Sequence, residues 1–79
     1  MNEPEPQAAG RIRVRVNGEE RDLAARASVA LLVEDWTRGA RREGIAVAVN
    51  GEVVPRPQWQ ERKIRDGDDI EIVRAVQGG

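Results

Sequence analysis

Apolar and charged positions alternate without a break through Arg11-Ile12-Arg13-Val14-Arg15-Val16, which puts Ile12, Val14 and Val16 on one side of an extended chain and the arginines on the other. That pattern predicts a strand with one face in a core. Asn17-Gly18 follows at once, and both residue types accept the positive φ of a two-residue type I′ turn. Folding back across the turn sets Arg15 opposite Glu20, Arg13 opposite Asp22 and Ile12 opposite Leu23, so charge and hydrophobicity select one register. The same register turns Glu19 and Arg21 towards the core side, which an edge strand fraying into solvent would accommodate.

The period then changes. Val29, Leu32, Val33 and Trp36 recur at helical spacing behind Ser28, a natural N-cap, and predict about three turns of amphipathic helix. Leu31 falls off the apolar stripe. Two stops are open, Gly39 as a C-cap or an extension through Ala40 to Glu43 that ends at Gly44. Ile45 to Val49 alternates again, and a second Asn-Gly, Asn50-Gly51, turns it back into Glu52-Val53-Val54. Here Val47 pairs with Val54 inside and Ala48 with Val53 outside. Pro55 and Pro57 close that strand because neither carries a backbone N–H. Trp59 and Ile64 anchor the connection to the turn Asp66-Gly67-Asp68, and Asp69 to Ala75 forms a last strand with Ile70 and Ile72 inward.

Hairpin, helix, hairpin and strand in that order predict an α+β fold. The first and last strands both carry a clean apolar face, as central strands under one helix would, and are expected side by side and parallel. The expected architecture is a β-grasp, the ubiquitin-like arrangement: a mixed sheet of about five strands packed against one main helix. Residues 1–10, with two prolines, two glutamates and no apolar period, are expected to form a disordered tail, 11–75 the domain and 76–79 a flexible C-terminal tail.

Composition narrows the function. With 79 residues the chain has room for one small domain, and 13 Lys+Arg against 14 Asp+Glu leave no basic excess for a general nucleic-acid binder. No apolar run approaches the roughly 20 residues that span a bilayer, so no membrane association and a cytoplasmic location are expected. Cys, His and Tyr are all absent, which removes thiolate chemistry, the usual general base and the commonest metal ligand. A binding or carrier module fits better than an enzyme, with no catalytic residues and no metal site. Asp66, Asp68 and Asp69 read as turn residues short of a calcium loop's ligand count. Arg11, Arg13 and Arg15 read as a solvated face, balanced by Glu20, Asp22 and Glu71, and Trp36 as core.

Against that inert background stands the end of the sequence, Val76-Gln77-Gly78-Gly79. Glycines without β-carbons can thread a narrow channel, and residues 75–79 fully extended reach roughly 17 Å from a folded body. The α-carboxylate is ionised at neutral pH and can attack the α-phosphate of ATP when positive groups neutralise the phosphates. A sulfur nucleophile can convert the resulting acyl-adenylate to a thiocarboxylate. On this reading the protein is itself a substrate.

The run Ala46-Val47-Ala48-Val49-Asn50-Gly51-Glu52-Val53-Val54-Pro55-Arg56, then Trp59, Asp66-Gly67-Asp68, Ile70-Glu71-Ile72-Val73 and the closing Gly78-Gly79, resembles the ThiS family of sulfur carriers in thiamine thiazole synthesis. Val16-Asn17-Gly18-Glu19 and Ser28-Val29-Ala30-Leu31-Leu32 match as well, so the resemblance covers Arg11 to Gly79. It implies that a ThiF-type adenylyltransferase, using ATP and Mg, activates Gly79. It also implies that sulfur arrives from cysteine through a desulfurase or rhodanese and passes to the thiazole synthase ThiG. Gly79 would carry adenylate and sulfur, with Gly78, Gln77 and Val76 threading the partner's active site. The chain would bind no cofactor of its own and stand alone as a monomer. The sequence departs from the family pattern in its longer N-terminal tail, in Trp36 where leucine is typical, and in Gln77 where a small residue is common.

The register also supplies a docking surface. Ala46, Ala48, Val53 and Val73 point away from the helix side and form a flat apolar patch beside Arg13 and Arg15. Three other readings compete: a MoaD-like carrier for molybdopterin or another sulfur product, an interaction-only module of the RNA-binding TGS type, and a conjugated ubiquitin-like modifier. The VNGEVVPR run favours ThiS over MoaD. Near-neutral charge and the Gly-Gly end argue against TGS.

Overall fold

The computed structural model describes residues 10–75. Strands β1 (Arg11–Val16) and β2 (Glu19–Ala24) make the first hairpin with Arg15 opposite Glu20, Arg13 opposite Asp22 and Ile12 opposite Leu23, the register that charge and hydrophobicity select. Asn17 and Gly18 at its tip both take positive φ, 53° and 86°. The expected fraying of β2 does not occur: it is an edge strand, yet it pairs to Ala24, and the Ala25 N–H then donates to the Gly10 carbonyl at 2.7 Å. Glu19 is exposed, while Arg21 is half-buried and reaches the helix, where a guanidinium nitrogen lies 3.9 Å from Asp35.

Helix α1 (Val29–Thr37) begins where Ser28 Oγ accepts the Leu31 N–H at 3.1 Å. Its nine residues make about two and a half turns, fewer than the helical spacing predicts, and bury Val29, Leu32 and Val33. Trp36, expected in the core, is half-buried and packs at its margin, whereas Thr37 is buried with Oγ1 donating to the Val33 carbonyl at 2.9 Å. The helix stops at the first of the two candidate glycines. Arg38 enters the left-handed region at φ 57°, Gly39 follows at 80°, and the Gly39 N–H closes onto the Glu34 carbonyl at 3.1 Å. Ser28→Ala removes the acceptor of the Leu31 N–H at the helix start and is expected to lower stability by about 1 kcal/mol. A urea titration with an unchanged slope and a lower midpoint would record it.

β3 (Ile45–Val49) and β4 (Glu52–Val53) form the second hairpin, with Ala48 opposite Val53 and the Val54 N–H donating to the Val47 carbonyl at 2.9 Å. After a short 3-10 helix at Arg56–Gln58, the chain returns through Trp59 and Ile64, both buried as expected, to β5 (Asp69–Arg74). The sheet order is β2-β1-β5-β3-β4, with β1 and β5 parallel and the other neighbours antiparallel. This is the expected α+β, β-grasp topology. Val14, Val16, Val47, Ile70 and Ile72 line the inner face of the sheet and join Leu32 and Val33 of α1 in one core.

Candidate functional site

The two central strands decide what the outer face of the sheet presents. Burial of Ile70 and Ile72 forces Asp69, Glu71 and Val73 outward on β5, and burial of Ile45, Val47 and Val49 does the same for Ala46 and Ala48 on β3. Ala46 lies directly across from Val73, and Ala48 from Val53 on β4. Val53 is 72% exposed and Val73 56%, so the apolar half of the face is open. Large side chains in water carry a cost that a contact with another apolar surface removes.

Arg13 and Arg15 stand on the same outer face but not against that patch. Arg15 is level with Asp69, four residues back along β5 from Val73, and Asp69 and Glu71 intervene. The face is therefore divided into an apolar half over β3, β4 and the end of β5, and a charged half over β1 and β2. The balance of charge differs from the expected one. Arg13 takes both acidic partners, Asp22 at 3.0 Å and Glu20 at 3.4 Å, while among the described residues neither Arg15 nor Glu71 makes an ion pair. The hydrogen bond that Arg13 donates to Asp22, then the charges of Asp22 and Glu20, raise the pKa of the Arg13 guanidinium above its ordinary value.

The acidic turn is structural. Asp66 accepts the Arg13 N–H at 2.8 Å, and buried Asp68 accepts the Arg65 N–H at 2.8 Å and the Asn50 amide at 2.9 Å. Among the described residues no three His, Cys, Asp or Glu side chains cluster as a metal site would need, and no helix is long and apolar enough to cross a membrane.

β5 is tied along its whole length and for one residue beyond. The Ala75 N–H donates to the Gly44 carbonyl at 2.7 Å, so Ala75 belongs to the folded body. Gly44 sits at φ 79°, and a β-carbon there would lie 3.3 Å from the Ala75 carbonyl oxygen. The sequence carries no local sign of this: Gly44 reads as a helix stop and works as a close approach to the end of β5. Val76, Gln77, Gly78 and Gly79 lie outside the described residues, as does the expected N-terminal tail from residue 1 to residue 9.

The ThiS family model matches residues 14–79. The chain belongs to the ThiS family. The sulfur carrier protein ThiS of Escherichia coli is 32% identical over 68 residues, which take in 86% of this chain and 100% of that one. The ThiS of Thermus thermophilus is 36% identical over 66 residues, covering 84% and 98% respectively. A thiazole synthase of Paramagnetospirillum magneticum is 36% identical over 64 residues, 81% of this chain but 19% of that protein. The crystal structure of thiamine biosynthesis protein ThiS from Geobacter metallireducens superposes with a TM-score of 0.71 at 28% identity, covering 86% of this chain and all of that one. Both the ThiS resemblance and the β-grasp reading of the sequence are borne out.

Proposed function

We propose that this ThiS-family chain is a protein co-substrate that carries sulfur for thiamine biosynthesis on its own C-terminal carboxylate. What carries the reading is the family match, which runs through Gly78 and Gly79. In the first step the Gly79 carboxylate attacks the α-phosphorus of ATP in a ThiF-type adenylyltransferase, Mg and basic groups of that enzyme neutralise the phosphates, and pyrophosphate leaves. In the second the terminal sulfur of an enzyme persulfide, formed from cysteine by a desulfurase or rhodanese, attacks the acyl carbon and AMP leaves; a thiol then cleaves the S–S bond of the acyl disulfide, taking the enzyme sulfur into a mixed disulfide and releasing the thiocarboxylate. The thiocarboxylate then gives up its sulfur to the thiazole synthase ThiG. A thiazole synthase that contains a stretch similar to this chain supports that last partner, because it places a ThiS-like unit and the synthase in one protein. The proposed use of ATP supports a cytoplasmic location.

The chain contributes no catalytic group; it contributes reach and recognition. Gly78 and Gly79 pass where a β-carbon would collide, with Val76 and Gln77 spanning from the domain to the partner's entrance. Ala46, Ala48, Val53 and Val73 form the apolar docking half of the outer face, and Arg13 and Arg15 its charged half. Val53→Glu puts a charge into the apolar half from the edge strand β4, at an already exposed position. The protein is expected to fold as before, while KM for the chain as a substrate of the adenylyltransferase rises by about tenfold or more. An unchanged KM would remove this face from the interaction.

The reading is tested by incubating the purified chain with a ThiF-type enzyme, Mg, ATP and a sulfur source, then cleaving after Arg74 and weighing the peptide Ala75–Gly79. Exchange of one oxygen for sulfur in that peptide is the expected result. The peptide holds neither Met nor Trp, so oxidation cannot imitate the change. A peptide of unaltered mass, with the enzyme shown active on another ThiS, would overturn the proposal.

A further inference from the structure

Asn17 does more than turn a hairpin. The β1–β5 ladder pairs only Arg15 with Asp69 and Val16 with Ile70, and the Asn17 N–H adds one bond to the Ile70 carbonyl at 2.8 Å before the chain turns away. Beyond that point, among the described residues, β5 has no backbone neighbour on this flank. The Asn17 carboxamide fills the place: Nδ2 donates to the Ile72 carbonyl at 3.0 Å and Oδ1 accepts the Ile72 N–H at 2.9 Å. One side chain thus reproduces the donor and acceptor of a strand residue. On the opposite flank β3 pairs up to Ile45 with Arg74, and Gly44 continues the line by accepting the Ala75 N–H at 2.7 Å. Asn17 and Gly44 therefore grip the end of β5 from its two sides.

We propose that Asn17 and Gly44 are positioning residues that set the direction in which residues 76–79 leave the domain, and so aim the Gly79 carboxylate. This rests on the carrier function proposed above. Where a partner's channel holds the four residues extended, spanning at most about 14 Å, a change of direction at Ala75 is magnified at Gly79. An error of about 1 Å at a reacting atom can cost a hundredfold in rate. Gly44 is suited to this task by having no β-carbon, which would press on the Ala75 carbonyl at 3.3 Å. Asn17 is suited by tolerating φ 53° while its short amide lies against β5.

Two matched pairs of variants isolate the effect. Gly44→Ala and Gly39→Ala place a β-carbon at nearly equal φ, 79° and 80°, but only the first meets Ala75, whereas at Gly39 nothing lies within 4 Å. Asn17→Gly and Asn50→Gly each remove a carboxamide while keeping the turn's positive φ, and Asn50 holds Asp68 and Asp69 at the far end of β5. The assay is steady-state adenylation by a ThiF-type enzyme with the chain as the varied substrate. Because the chain is the substrate, loss of folded material raises apparent KM at constant kcat, whereas a misdirected carboxylate lowers kcat. Gly44→Ala and Asn17→Gly are expected to lose about tenfold or more in kcat with KM within about twofold. Gly39→Ala and Asn50→Gly are expected to keep the kcat of the unaltered chain. Equal kcat within each pair would overturn the inference while leaving the carrier function standing. If the unaltered chain is not adenylated, the carrier function and this inference fall together. Should Gly44→Ala not fold, the asparagine pair decides alone.

Discussion

A chain carrying one extra alanine after Gly79 is expected to form neither adenylate nor thiocarboxylate. The added residue moves the carboxylate about 3.5 Å along the thread and places a β-carbon where the Gly-Gly pair had none. Reacting atoms must approach to about 3–3.5 Å in line, so a displacement of that size takes the nucleophile out of range of the α-phosphorus altogether. Gly79→Ala separates the two effects, since it adds the β-carbon at unchanged length, and a drop of about 10- to 100-fold in kcat is expected from it. Mass measurement of the C-terminal peptide reads both, and growth of a thiazole-requiring strain without added thiazole provides the cellular counterpart. An extended chain that is modified at the ordinary rate, with the extra alanine still present in the peptide, would end the carrier proposal.

The expected severity of so small a change follows from the division of labour in the molecule. Every buried side chain in the described domain serves the core or a backbone hydrogen bond, and even the acidic turn is absorbed by Arg13, Arg65 and Asn50. Among the described residues the buried polar side chains, Thr37 and Asp68, are both committed to backbone groups. The same economy explains how much could be read from the sequence. Both hairpin registers are legible because each Asn-Gly fixes a two-residue turn, and one choice of partner puts Ile12, Val14 and Val16 of the first hairpin, and Ile45, Val47, Val49 and Val54 of the second, on the core face while Val53 stays outside. The parallel pairing of β1 with β5 followed from the burial demand of two strands under one helix.

What escaped the sequence is non-local. Gly39 and Gly44 carry the same signature of a helix stop, and only the fold shows that Gly39 ends α1 while Gly44 meets Ala75, 31 residues later in the chain. Asn17 was readable as a turn residue, but its hold on Ile72 spans 55 residues and leaves no trace in local pattern. The sequence predicts solvent for Arg21 because a charged side chain on an inward position is costly; instead it reaches from β2 towards Asp35 on α1. Glu20 lies directly opposite Arg15 yet pairs with Arg13, because long side chains reach diagonal neighbours as readily as direct ones.

Trp59→Ala is expected to be the most damaging single change within the folded body. Pro55 and Pro57 have no N–H and cannot extend β4, so the Val54 carbonyl is without a strand partner at the point where the second hairpin ends. The Trp59 indole answers it, with Nε1 donating at 2.8 Å from a ring that is only 4% exposed. The Trp59 carbonyl accepts the Ala30 N–H at 3.0 Å in the first turn of α1, so the same residue joins hairpin to helix. Truncation of a buried tryptophan to alanine costs about 3–5 kcal/mol. At ~0.05–0.15 kcal/mol per residue, a domain of this length holds on the order of 4–12 kcal/mol in total, so much of the population is expected to unfold near 37 °C. Trp59→Phe keeps most of the apolar burial and removes the donor, and about 1–3 kcal/mol should be lost from the unanswered carbonyl alone. Arg56→Ala gives the contribution of the guanidinium 5.3 Å from the ring centre, expected at no more than about 1 kcal/mol. Urea midpoints followed by far-ultraviolet circular dichroism rank the three. A phenylalanine variant as stable as the unaltered chain would show that the ring's bulk, and not its hydrogen bond, closes the second hairpin onto the helix.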